Sequence, residues 1–308
     1  MNSGDENSEP IAAEIRRTLE YFGIFRYPLL PAEIHRFLSF RCGVEDILSS
    51  LEIMKTNGQV VCSRQGFYSA GGTEAWSSER VAGNQRAMAM LSRSAGFTRI
   101  ISSFPFVDSV AISGSLSKYY AGENDDIDYF IITARNRMWI ARSLLHLFKK
   151  LTFIPGYQHY FCMNYFIDDE NMAMEDKNIY TAIELATLIP VYNPEKIARL
   201  KLRNSWLREY LPNETPHQDE AYLRPAGKEI AKHMAERAIN LFLPEKVNNL
   251  LMRLTDLKWR RKWRRKGFPM EDYDRAFQTT LHISKNHPAD FQKRILSAMV
   301  NKTELARV

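Results

Sequence analysis

The sequence predicts an α+β multidomain chain in three parts: an N-terminal unit of helices and a hairpin, an α/β core, and a helical C-terminal region. Two patterns predict it. Apolar residues recur at helical spacing in three short runs over 11–57 and then alternate over 59–72. Three β-branched or aromatic stretches (106–112, 127–133 and 159–167) interleave with helical patterns, and helical patterns dominate from 171 onward. A chain of 308 residues, 45% hydrophobic and 25% charged, can bury the cores this requires, which excludes a disordered, collagen-like or coiled-coil protein. The expected boundaries are 1–74, 75–170 and 171–308.

The first helix is set by Ile11, Ile15, Leu19 and Phe22 and stops over Gly23 to Pro28. A second opens at Pro31, whose fixed φ suits a first helical position, and carries Ile34, Phe37 and Leu38. A third runs from Val44 to Asn57, with Ile47, Leu48, Leu51 and Met54 on one face and Gly58 as its terminator. QVVCSRQGFYSAGG then alternates, turns near Gln65-Gly66 and alternates again. Three helices followed by a hairpin is the order of a winged helix, and residues 11–72 resemble that family. The third helix, which would have to read DNA, carries Glu45, Asp46, Glu52 and one Lys55, and the hairpin adds only Arg64. Phosphate and base contacts need basic or amide side chains there. A protein-contact or intramolecular role is therefore expected ahead of DNA binding.

Composition narrows the partners. The net charge is +6, but KWRRKWRRK (Lys258 to Lys266) holds seven of the basic residues and leaves 35 Lys and Arg against 36 Asp and Glu elsewhere. Affinity for a polyanion would have to come from that one spot. Cys42, Cys62 and Cys162 form no CxxC pair, which excludes a disulfide framework and a cysteine-rich zinc module and suits a reducing compartment. The longest uncharged run, Leu151 to Ile167, is too short and polar to span a bilayer, and MNSGDENSEP has no apolar signal region. A cytoplasmic protein with no membrane partner is the expectation.

The α/β core carries the chemistry. After a helix over 75–95, FVDSVAISGSLS reads as a buried strand ending in a Gly-Ser turn, and IDYFIIT as the next strand. A helix over 136–150 and a third strand, HYFCMNYFI, follow. Ten residues separate Ser115 from Asp126, and Asp126 and Asp128 lie two apart. In a strand such a pair shares one face about 7 Å apart, so both carboxylates can converge on one metal. Hard oxygen donors suit Mg²⁺ or Mn²⁺, which also bind substrate phosphates. The Gly114-Ser115 turn has little bulk, so its N–H groups and the Ser115 hydroxyl can approach phosphate oxygens.

With these residues the segment from about 85 to 168 resembles the DNA-polymerase-β-like nucleotidyltransferase superfamily. Its signature is a Gly-Ser turn, a gap of this length and Asp-hydrophobic-Asp-hydrophobic. Small members often read GSxARG before SDID; here Lys118 sits where a basic residue is usual, Tyr119 replaces the glycine and Asp125 the serine. The resemblance implies transfer of a nucleoside monophosphate from an NTP to an acceptor hydroxyl. Asp126 and Asp128 would hold Mg²⁺, Gly114 and Ser115 the triphosphate, and Lys118 would be a phosphate counter-charge. Members usually place a third carboxylate on the third strand, within hydrophobic-acid-hydrophobic, where this chain has Met163-Asn164-Tyr165. An amide can ligate a metal but is no base near neutral pH. The alternative expectation is therefore a catalytically impaired, nucleotide-binding regulator whose winged helix contacts a partner protein or nucleic acid.

The remaining polar residues read as structural. Asp168 shares the parity of Asn164 but lies roughly 13 Å along the strand, and reads as a solvated acidic turn with Asp169 and Glu170. Glu175, Asp176 and Glu184 read as a solvated helix face, and His282 and His287 as surface residues without acidic partners. Pro244 and Gly267 bound a helix whose apolar stripe is Val247, Leu250, Leu251, Leu254 and Leu257, with Met252, Trp259 and Trp263 nearly opposite. It reads as a helix buried on two sides, or as a Trp-plus-Arg platform for RNA. The acceptor, whether RNA, protein or small molecule, is left open.

Overall fold

The computed structural model describes residues 8–151, 161–214, 229–286 and 291–305. Its centre is a five-stranded mixed sheet, so the chain is α+β. The N-terminal elements are α1 (Ser8–Gly23), α2 (Pro31–Phe37), α3 (Val44–Thr56) and the hairpin β1 (Val61–Cys62) and β2 (Tyr68–Ser69). The core continues with α4 (Glu74–Ser102), β3 (Val107–Ile112), β4 (Asp128–Thr133), α5 (Met138–Leu151) and β5 (Cys162–Asp168). Then come α6 (Ile179–Thr187), β6 (Ile189–Tyr192), α7 (Pro194–Arg203), α8 (Leu207–Tyr210), α9 (Glu229–Phe242) and α10 (Glu245–Arg265). Last are α11 (Tyr273–Ala276), β7 (Ile283–Lys285) and α12 (Phe291–Leu305). Among the described residues no helix is long and apolar enough to cross a membrane.

The sheet runs β6-β3-β4-β5-β7, with β4 and β5 parallel and the other neighbours antiparallel. Strand alternation divides the interior in two. Tyr129 and Ile131 enter a core with α4 and α5, whereas Phe130 and Ile132 enter a core shared with α1, α3 and α6. The N-terminal unit is thus fused to the sheet through the second core. Its first helix also touches α12.

Three expectations about elements change. The helix after residue 74 continues past Ala95 to Ser102, because Thr98 and Ile101 are fully buried and packing outweighs the glycine at 96. The C-terminal region also supplies both edge strands, β6 and β7, so the sheet extends beyond residue 170. These strands have four and three residues, too few to show alternation, and Pro190 sits where only an edge tolerates it. Finally, Asp126 lies just before β4 and Asp128 is its first residue. His159, Tyr160 and His287 lie outside the described residues.

A half-buried, neutral histidine on α5 is expected to make the fold acid-sensitive. Burial pushes the His146 imidazole down to about 3, assisted by Arg142, Lys149, Lys150 and Lys258, and its Nε2 has no hydrogen-bond partner among the described residues. The folded state then stays neutral while the unfolded chain binds a proton below about pH 6.5. Stability from this group is complete above that pH and is lost as pH falls toward the folded value. His146→Leu is expected to remove roughly 2–3 kcal/mol of the stability lost between pH 6.5 and about 4, read by urea unfolding across that range. An unchanged pH profile would show that the imidazole titrates normally.

Candidate functional site

The site lies on the sheet face shared with α1 and α6. Gly114 has φ 69°, and a Cβ there would sit 2.7 Å from Asp128 Oδ2. Glycine therefore meets two demands at once, a left-handed turn and close approach of a carboxylate. The turn is clamped by its own polar groups. The Ser113 N–H donates to the Asp128 carbonyl (2.9 Å), and the Ser117 hydroxyl and Lys118 Nζ donate to the Gly114 carbonyl (2.8 and 3.0 Å). Ser115 Oγ and the Gly122 N–H both donate to Asp125 Oδ2, at 2.9 and 2.8 Å.

The N-terminal unit holds the turn from outside. Tyr27 donates its hydroxyl to the Lys118 carbonyl at 2.5 Å. Its ring lies under the Arg80 guanidinium, 3.6 Å away, and Arg80 pairs with Glu33 at 2.6 Å. Gly83 on α4 makes room for the adjacent Tyr120, whose ring a Cβ would meet at 2.3 Å. A chain of contacts from α4 through Tyr27 thus fixes the Gly-Ser turn.

A slip in the β4–β5 register decides what faces the acids. Asp128 pairs with Cys162 but Phe130 with Tyr165, so β5 has one extra residue between them. Met163 enters the opposite core, whereas Asn164 and Tyr165 both line the site. Asn164 Nδ2 donates to Asp128 Oδ1 at 2.6 Å, so an amide stands directly against the acid. Burial pushes the Asp128 carboxyl up to about 7, with Asp126, Glu184 and Asp125 raising it further against the Cys162 hydrogen bond.

Above these groups opens a cavity of about 820 Å³. Gly114, Ser115, Lys118, Asp126 and Asp128, the five site residues expected from sequence, all line it. Tyr21 and Phe22 of α1 and Phe25 in the turn after it form an aromatic wall, with Tyr180 from α6. Sequence reasoning missed Glu184, expected on a solvated face. It lines the cavity and accepts from Lys118 Nζ at 2.7 Å. The signal was available: Glu184 is the one charged residue of α6, set among Ala, Ile and Leu. Glu175 and Asp176 also line the cavity. Lys118 is therefore already paired with a carboxylate.

The cavity's donors fit a hard divalent cation. Asp126 and Asp128 offer carboxylate oxygens, and their negative charge has Lys118 and Lys285 as its cationic neighbours along the lining. A second group, Asp168, Glu170 and His282, has ligand atoms within 4.8 Å of one another and could hold a metal ion. Asp168 is not the solvated residue expected from sequence: it is fully buried, and the register slip removes it from the parity of Asn164. It pairs with Thr133, at the opposite end of the strands from Asp128. Its oxygens accept from the N–H groups of Asn136, Glu170 and Asn171, and His282 Nδ1 lies 2.8 Å from it. His282 thus has the acidic partner that sequence distance concealed, and the cluster joins the β4 and β5 ends to the β7 edge.

No family model, curated protein or solved structure matches this chain.

Proposed function

We propose that the protein is a Mg²⁺- or Mn²⁺-dependent nucleotidyltransferase that moves a nucleoside monophosphate from an NTP to an acceptor hydroxyl and releases pyrophosphate. One observation carries the reading: the left-handed Gly114 turn meets Asp128 at the floor of a large cavity that Asp126 also lines. A turn at the end of β3, acids at the start of β4 and a parallel β5 support a core like that of DNA-polymerase-β-like nucleotidyltransferases. The winged-helix-like unit supplies a cavity wall through α1, which supports an intramolecular role over DNA reading.

In this reading Asp126 and Asp128 hold the cation, which when bound neutralises and orients the triphosphate. The N–H groups of the Gly114-Ser115 turn receive phosphate oxygens, and Ser115 Oγ exchanges its bond to Asp125 for one of them. Lys118, held against Glu184, places one positive charge beside the turn. Asn164 fixes the Asp128 carboxylate and takes no proton itself. The acceptor's proton therefore passes to another carboxylate of the cavity, with Glu184, Glu175 and Asp176 within its lining. The aromatic wall gives a base or an apolar acceptor a stacking surface. Three free cysteines agree with a cytoplasmic location.

Asn164 and the prior pairing of Lys118 favour a second reading, a regulator that binds nucleotide without turning it over. Pyrophosphate release from each NTP with Mg²⁺, beside binding of the same NTP, separates the two. Turnover by the native chain is expected, with Asn164→Asp raising it about 10²-fold, the low end of what a positioned base supplies. Binding without release in the native chain, and release by Asn164→Asp, would establish the regulator.

A further inference from the structure

The basic helix α10 presents a face that the proposed activity leaves unused. Leu250, Leu254 and Leu257, expected in a core, are 54%, 54% and 63% exposed. Trp259 and Trp263 take the buried side instead. They pack with Tyr273 and Phe277, under the Arg142 guanidinium, and Trp263 Nε1 donates to the Pro269 carbonyl. At 100° per residue, Arg261, Arg264 and Arg265 continue the leucine row and Arg253 and Lys258 flank it; all five are exposed. Among the described residues none of these five makes an ion pair, whereas Arg260, on the side, is held by Asp256 and Asp274. The one exposed acid of the helix is Glu245, in its first turn. The preceding helix α9 adds a second exposed apolar row, Ile230, Met234 and Leu241, which are 75%, 66% and 78% exposed.

We infer that the outer face of α10 is a docking surface for an anionic lipid bilayer, with the leucines entering the headgroup boundary and the basic side chains meeting lipid phosphates. Charge selects an anionic partner, and the leucines select among anionic partners. RNA would use the cations but leave Leu250, Leu254 and Leu257 in water, and the two Trp rings that could stack on bases are buried. The face is a convex ridge of 21 residues, roughly 31 Å long, rather than a groove for a protein segment. A leucine row within a basic rim is the arrangement of helices that lie in a membrane interface. The proposal goes beyond the expectation of no membrane partner, which rested on the absence of spanning segments and said nothing of which side of α10 is covered.

The test is co-sedimentation of the full chain with vesicles of phosphatidylcholine alone, and of phosphatidylcholine and phosphatidylglycerol in equal parts. Binding is expected to the mixed vesicles and to weaken with salt. Changing Arg261, Arg264 and Arg265 together to Gln should lower it about 100-fold, near fivefold for each charge at an anionic surface. The double change Leu254→Ser and Leu257→Ser should lower it at least tenfold while the thermal transition stays in place, since both side chains are exposed. No binding to mixed vesicles overturns the proposal. So does binding that survives the leucine changes and is competed away by single-stranded RNA, which would make the face a phosphate reader only.

Discussion

Asp126→Ala and Asp128→Ala are each expected to lower Mg²⁺-dependent pyrophosphate release by ~10³-fold or more, the scale of losing a preorganised charge partner in a partly desolvated site. Asp128 should be the more damaging change, because its carboxylate also meets Asn164 Nδ2 and seats Gly114. Steady-state release assays on the two variants and the native chain measure this. Loss of activity has to come without loss of fold, so each variant's melting curve accompanies its rate. Activity that survives both substitutions would remove the acid pair from the mechanism.

The second large effect is on stability and has the opposite sign. Without a cation, Asp128 is a buried acid repelled by Asp126, Glu184 and Asp125, and its pKa rises from 3.8 to about 7. Between these values the folded state holds a proton that the unfolded chain has released, so stability falls as pH rises through the window and stays low above it. Asp128→Asn keeps an acceptor for Asn164 and removes the charge. It is expected to stabilise the cation-free protein above pH 7 by roughly 2–4 kcal/mol and to leave it nearly unchanged near pH 4. Mg²⁺ should raise the melting temperature of the native chain but not of the variant. A variant that melts below the native chain at pH 8 in chelator would show that the carboxylate is already compensated.

Much of this was legible in the sequence because it is local. Pro31, the spacing from Ile11 to Phe22, and the glycine at 58 specify α1 to α3 through short-range geometry. Gly114, Ser115 and the acid pair could be read for the same reason: a left-handed turn and adjacent carboxylates leave marks within about a dozen positions. What escaped depends on long-range contact. The edge strands β6 and β7 are too short to alternate, and their pairing closes across the chain. Glu184 reaches Lys118 across 66 residues, and His282 meets Asp168 across 114. The register slip beside Asn164 cancels the parity count that linked it to Asp168. On α10 the helix was readable but not its orientation, because leucines and tryptophans compete for one core and the larger rings occupy it.

The central claim is that the cavity binds an NTP through a cation held by Asp126 and Asp128 and through the Gly114-Ser115 turn. Titration calorimetry with ATP, GTP, CTP and UTP, each with Mg²⁺ and again with chelator, tests it most directly. The account predicts that at least one NTP binds with Mg²⁺, that none binds measurably in chelator, and that Asp126→Asn and Asp128→Asn each abolish the heat. Absence of binding by all four with Mg²⁺ would contradict it, as would binding of equal strength in chelator.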